Sequence, residues 1–124
     1  MLEEFRNVRQ REGEGRRRLF VDGYFNLMVW FDEAGKAMTG FQLSYDIRGH
    51  ERVLTYKTDE GRVIRSHHFN TGQAFEYHGS AWSSVLAGDP GPLDQMVYDR
   101  FLIAARHMEP AILDYVKEHL KEFR

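Results

Sequence analysis

Two carboxylates and an imidazole crowd into one short stretch, Tyr45-Asp46-Ile47-Arg48-Gly49-His50-Glu51. Asp46, His50 and Glu51 together make a minimal set for acid–base chemistry. Their place on either side of a tight turn favours a second use. An aspartate there accepts backbone N–H groups and fixes the loop, and Glu51 can take the phenol hydrogen of Tyr45. Histidines form the next cluster, His67-His68 with His78. A metal centre needs three or four ligands converging from one side. Adjacent strand residues point to opposite faces, so His67 and His68 cannot share an ion. No His-Glu-x-x-His spacing is present, and neither a metal nor a cofactor is expected. His67 reads as a hydrogen-bonded core histidine. Ser83-Ser84 has no base beside it, and no Gly-x-Ser-x-Gly elbow occurs. Gly13-Glu14-Gly15 is acidic where a phosphate loop carries lysine.

The elements that must position these groups are marked by Gly35, Gly49, Gly61 and Gly72, spaced by 14, 12 and 11 residues. Each fits a three-residue hairpin loop closed by a left-handed glycine. Four such turns divide residues 19–78 into a five-stranded antiparallel meander, free to curl because large aromatics favour coiling. Counting around the turns sets Leu27 opposite Phe41, Leu43 opposite Val53, and Val53 opposite His67. One face then collects Phe25, Leu27, Val29, Phe31, Phe41, Leu43, Tyr45, Val53, Val63, Phe69, Phe75 and Tyr77 as core. On the second face Ser44, Arg52 and His68 form one cross-strand row, and Gln42, Leu54, Ser66 and Glu76 the next. Residues 79–92 form a loop with an apolar knot of Trp82, Val85 and Leu86. Leu93, Val97, Phe101, Ala104 and Met108 make one helical stripe. Pro110 opens a second helix with Leu113, Val116, Leu120 and Phe123 on one side. Both helices, in 93–124, are expected on the core face. Residues 1–18 read as a charged arm, partly solvated, with a short helix over about 2–11 allowed until Gly13 stops it. The expectation is a single α+β domain over 19–124.

The run Arg17-Arg18-Leu19-Phe20, then Phe25-Asn26-Leu27-Met28-Val29-Trp30 and Gly40-Phe41-Gln42-Leu43-Ser44-Tyr45-Asp46, resembles a family of small uncharacterised bacterial proteins. The likeness rests on a Phe-Gln-Leu-x-Tyr-Asp signature, followed by Glu51 and Leu54-Thr55-Tyr56. It extends over roughly 17–124, and Asn26 departs from the family's aspartate. The resemblance implies an intact domain and carries no activity with it.

At 124 residues the chain buries roughly 65–70% of its unfolded surface, so no staple is required. It has no cysteine, which removes disulfides, thiolate sites and thiol nucleophiles. The opening Met1-Leu2-Glu3-Glu4-Phe5-Arg6 lacks the apolar run of a signal peptide. No window approaches the ~18 apolar residues of a membrane span. A cytoplasmic protein without a membrane partner is expected. The net charge of −2 opposes a general attraction to nucleic acid.

Three functions remain open. The first is a binding or protein-interaction module without catalysis. Its ligand would sit on Gln42, Ser44, Arg52, His68 and Glu76, or two copies would meet through an apolar patch of Met28, Trp30, Tyr56 and Ile64. The second is a small hydrolase-like enzyme using Asp46, Glu51 and His68. The third is nucleic-acid binding through Arg16, Arg17 and Arg18 with exposed aromatics.

Overall fold

The computed structural model describes residues 1–13, 15–70, 86–87 and 90–124. Among these residues seven strands form one antiparallel sheet, each beside its neighbour in sequence. They are β1 (Glu3–Phe5), β2 (Arg16–Val21), β3 (Phe25–Phe31), β4 (Met38–Tyr45), β5 (Arg52–Asp59), β6 (Arg62–Asn70) and β7 (Leu86–Ala87). Two helices follow, α1 (Gln95–Ala104) and α2 (Pro110–Leu120), and a 3-10 turn (Lys121–Phe123). The α+β meander with two C-terminal helices is therefore present, with more strands than the five expected.

Two of the extra strands come from the start of the chain. The alternation from Leu19 to Phe31 is broken at Asp22-Gly23, where Gly23 has φ 89°. The Asp22 carboxylate accepts the N–H of Tyr24 at 3.0 Å and of Phe25 at 2.8 Å. Asp-Gly between apolar runs is a strong hairpin signal, and it splits the segment into β2 and β3. Residues 3–5 are a strand, not part of a helix, and pair Phe5 with Leu19 and Glu4 with Phe20. Arg16–Arg18 belong to β2. β7 pairs with the end of β6 inside the expected loop. The Gly72 hairpin, Phe75, Glu76, Tyr77, His78, Trp82, Ser83-Ser84 and Val85 lie outside the described residues.

Register explains what each face carries. β3 pairs Leu27 with Leu43 and Val29 with Phe41, two residues from the expected pairing. The turn is longer than three residues. Asp32 donates its N–H to Ala37 O at 2.8 Å and its carboxylate accepts the Lys36 N–H at 2.9 Å. A bulge lies between Trp30 and Phe31. An even shift preserves faces.

The β4–β5 turn shifts by one residue. Leu43 faces Leu54, not Val53, and Ser44 faces Val53. The left-handed residue is Asp46, at φ 56°, not Gly49, and the loop spans 46–51. A one-residue slip inverts a strand. Arg52, Leu54 and Tyr56 thus join the core face, and Val53 moves to the second face. At the next turn Glu60-Gly61, both with positive φ, makes a two-residue loop between Asp59 and Arg62. This second slip returns β6 to its expected orientation, with His67 inward beside Leu54. Val63 and Phe69 share that side, yet they stay 44% and 37% exposed.

The helices cover the core face. Leu93, Val97, Phe101, Ala104 and Met108 are all buried, as are Ile112, Val116 and Leu120. Asp94 caps α1 by accepting the Met96 N–H at 2.8 Å, and Pro110 is the first residue of α2. Phe101 meets Phe25 edge-on at 5.6 Å. Tyr115 meets both Phe41 and Tyr56. His119 stacks on Tyr56 at 4.0 Å. Leu2, ahead of β1, is also buried, and its N–H donates to Ala104 O at 2.8 Å. Among the described residues no helix is long and apolar enough to cross a membrane.

Candidate ligand-binding face

The second face of the sheet is built from three cross-strand rows. Val21, Asn26, Ser44, Val53 and His68 form the first; Leu19, Met28, Gln42, Thr55 and Ser66 the second; Arg17, Trp30, Gly40, Lys57 and Ile64 the third. The rows expected from sequence keep their members on β4 and β6 and change them on β5, where the slip substitutes Val53 for Arg52 and Thr55 for Leu54.

Leu19, Met28 and Val53 give a depression of about 240 Å³ an apolar floor, and Asn26, Gln42, Ser44 and Asn70 give it polar walls. Asn70 is already engaged. Its side-chain amide donates to Glu51 Oε1 at 2.8 Å, and its backbone N–H donates to Glu51 O. Among the described residues, the side chains of Asn26, Gln42 and Ser44 hold no hydrogen bond. All three are half-buried. Two carboxamides and a hydroxyl therefore retain donors and acceptors over one apolar floor.

The third row is set by Gly40. A side chain there would run into Tyr56 O and lie 2.8 Å from Lys57 Cα, so β4 and β5 approach where only glycine fits. The Lys57 ammonium sits 5.3 Å from the Trp30 ring centroid, a cation–π distance.

The three candidate catalytic groups do not share a space. Asp46 fixes its own turn, its carboxylate accepting the His50 N–H at 3.3 Å and an Arg52 guanidinium N–H at 3.1 Å. Glu51 takes Asn70, not the Tyr45 phenol. His68 sits on the second face and lines a depression with Arg65, Ser66 and Glu122 that neither Asp46 nor Glu51 reaches. Among the described residues no three His, Asp or Glu side chains converge as a metal site. Arg52 lies over the Tyr45 ring at 4.6 Å on the core side, away from Gln42 and Ser44. Tyr56 is 6% exposed and belongs to the core, so it leaves the proposed apolar patch. Met28, Trp30 and Ile64 remain on the second face, with Ile64 exposed. Glu76 lies outside the described residues.

Tyr45 and His67 form a buried pair. Gly91 O lies 2.7 Å from His67 Nδ1 and can only accept, so Nδ1 carries the hydrogen. Nε2 then accepts from the Tyr45 hydroxyl, also at 2.7 Å. Burial pushes the Tyr45 phenol up to about 12, against the pull of Arg52. It stays a neutral donor, and the pair ties β4, β6 and the entry to α1 together.

Asn70 and Val53 escaped the sequence reading of the site. Val53 was assigned to the wrong face by the Asp46 turn, and Asn70 carried only the signal of a strand end. Family models, curated proteins and solved structures contain no match to the chain.

Proposed function

We propose that this chain is a cytoplasmic, non-catalytic binding module that holds a small uncharged ligand on the second face of its sheet. The supporting observation is the unspent hydrogen-bonding capacity of Asn26, Gln42 and Ser44 over Leu19, Met28 and Val53. Among the described residues no charged side chain lines the depression, so a charged ligand would lose hydration there without a counter-charge. A neutral group with both donors and acceptors loses least there, with its apolar edge on the floor. At about 240 Å³ the space is below the ~300–1,000 Å³ of drug-sized sites, which favours a compact ligand.

Side-chain NH2 resonances of Asn26 and Gln42 provide the test, titrated with uncharged cyclic amides and with polyols. Saturable shifts at both groups are expected from at least one probe class. Gln42→Met keeps the volume and removes the polar contacts, and it should weaken that binding about tenfold, roughly 1.4 kcal/mol. Absence of shifts at both groups, or equal binding by Gln42→Met, refutes the proposal.

A second reading rests on Ile64, 48% exposed in the same row as Trp30. Two copies would meet on this face through Met28, Trp30 and Ile64. A sedimentation coefficient that rises with concentration supports it, and a constant monomer value removes it.

A further inference from the structure

Residues 6–9 leave the sheet between two pins. On one side Phe5 pairs with Leu19 in the β1–β2 ladder. On the other, the Gln10 carboxamide takes both backbone groups of Arg17: Oε1 accepts its N–H at 2.9 Å, and Nε2 donates to its carbonyl at 2.8 Å. The side chain of Gln10 thus does the work of a paired strand, and the four residues between the pins arch away. Beneath the arch lies a cavity of about 290 Å³, lined by Arg6 and Val8 from above, Arg16, Arg17 and Arg18 from β2, and Phe31 from β3.

Among the described residues the charge around this cavity is not balanced. Its one acidic wall residue among the described residues, Glu4, is taken by Arg18 at 2.7 Å, and Arg18 also binds Glu109 at 2.8 Å. Arg17 donates one guanidinium N–H to Arg9 O, a neutral acceptor, and its Nε is buried with no hydrogen-bond partner. Arg6 and Arg16 hold no ion pair within the described residues. Three arginines therefore line one half-open space, two of them, Arg6 and Arg16, exposed and without a direct ion pair among the described residues, and the third, Arg17, with a buried donor unsatisfied.

We infer that the cavity under the arch binds a phosphate monoester carrying a compact apolar group. A tetrahedral dianion offers oxygens in several directions, matching donors that come from the arch and, around the edge of β2, from its opposite faces at Arg16 and Arg17. A planar carboxylate would meet fewer of them. Guanidinium forks suit phosphate oxygens in charge-assisted bonds. Phe31, Phe5 and Val8 supply the apolar wall for the remainder of the ligand.

Calorimetric titrations of the full chain with inorganic phosphate and with phenyl phosphate, at matched ionic strength, test the site. Phenyl phosphate should bind more tightly than inorganic phosphate. Arg16→Gln and, separately, Arg6→Gln should each weaken phenyl phosphate about tenfold or more, since each removes a charged donor, with unfolding of the free protein unchanged. Phosphate effects no larger than those of chloride, or parental affinity in both variants, overturn the inference. A single-stranded oligonucleotide bound more tightly than phenyl phosphate, with a salt dependence of several phosphates, would overturn it in favour of an extended nucleic-acid surface.

Discussion

Leu2→Ala separates a docked N-terminal strand from a solvated arm. Leu2 is 5% exposed, packed in the same core as Phe20 and Phe101, and its N–H is bonded to the end of α1. Truncating a buried leucine costs about 2–5 kcal/mol. The upper part of that range is out of reach here, because β1 pairs only Glu3, Glu4 and Phe5 with β2. Once the penalty exceeds what holds the strand down, the strand detaches and the loss stops growing. Burying one leucine contributes roughly 1.5–3 kcal/mol, and the half-exposed Glu4–Arg18 pair adds about 0.5 kcal/mol. Ordering the strand offsets part of the sum. The expected loss is thus about 2 kcal/mol, a fall in Tm of about 6–10 °C, read from urea and thermal unfolding. A cap also predicts non-additivity: with Leu2→Ala in place, Glu4→Gln should cost almost nothing more. Faster hydrogen exchange at the β2 amides facing β1 should accompany the change. A loss below about 0.5 kcal/mol, the size of a neutral surface substitution, with unchanged exchange, would refute the docking argument.

Gly40→Val should be among the most damaging single changes in the sheet, costing about 3 kcal/mol or more, because its side chain meets β5 backbone, not a movable side chain; denaturant midpoints check this. Arg18 holds the carboxyls of Glu4 and Glu109 below the usual carboxylate range, in each case chiefly by direct hydrogen bonding. Folded values below unfolded ones mean stability that is present above the ordinary carboxylate pKa and lost as pH falls through the depressed values. Arg18→Met should therefore flatten the acid limb of the stability profile while costing about 1 kcal/mol at neutral pH. Trp30→Glu should leave the fold intact, since Trp30 is only half-buried, and should abolish any concentration-dependent association seen by sedimentation.

The helices were legible because Leu93, Val97, Phe101 and Ala104 repeat at the helical period, and burial follows that period directly. The β3 and β4 faces were legible for the same reason at period two. What failed was turn chemistry. A left-handed aspartate at position 46 leaves no mark in the sequence that distinguishes it from Gly49, a few residues on. The resulting slip misplaced Arg52, Leu54 and Tyr56 together, and Glu60-Gly61 then corrected it for β6. Asp22-Gly23 did carry its signal, obscured by alternation that continues on both sides. β1 was hidden by its charge: two of its three residues are glutamates, and its anchor, Leu2, lies outside it. In the candidate site, Gln42 and Ser44 stood on a strand whose face was already determined and remain in place. Arg52 stood beyond the slip and moved to the other side.

The neighbour-to-neighbour order of the strands also governs how the chain reaches this state. Each pairing from β2 to β6 closes a short loop, so little chain entropy opposes assembling the sheet hairpin by hairpin. The contacts that span the chain form late by the same reasoning. Arg18 must find Glu109, 91 residues away, and Leu2 must find the end of α1. Substitutions at Leu2 and Glu109 should accelerate unfolding and leave the refolding rate almost unchanged.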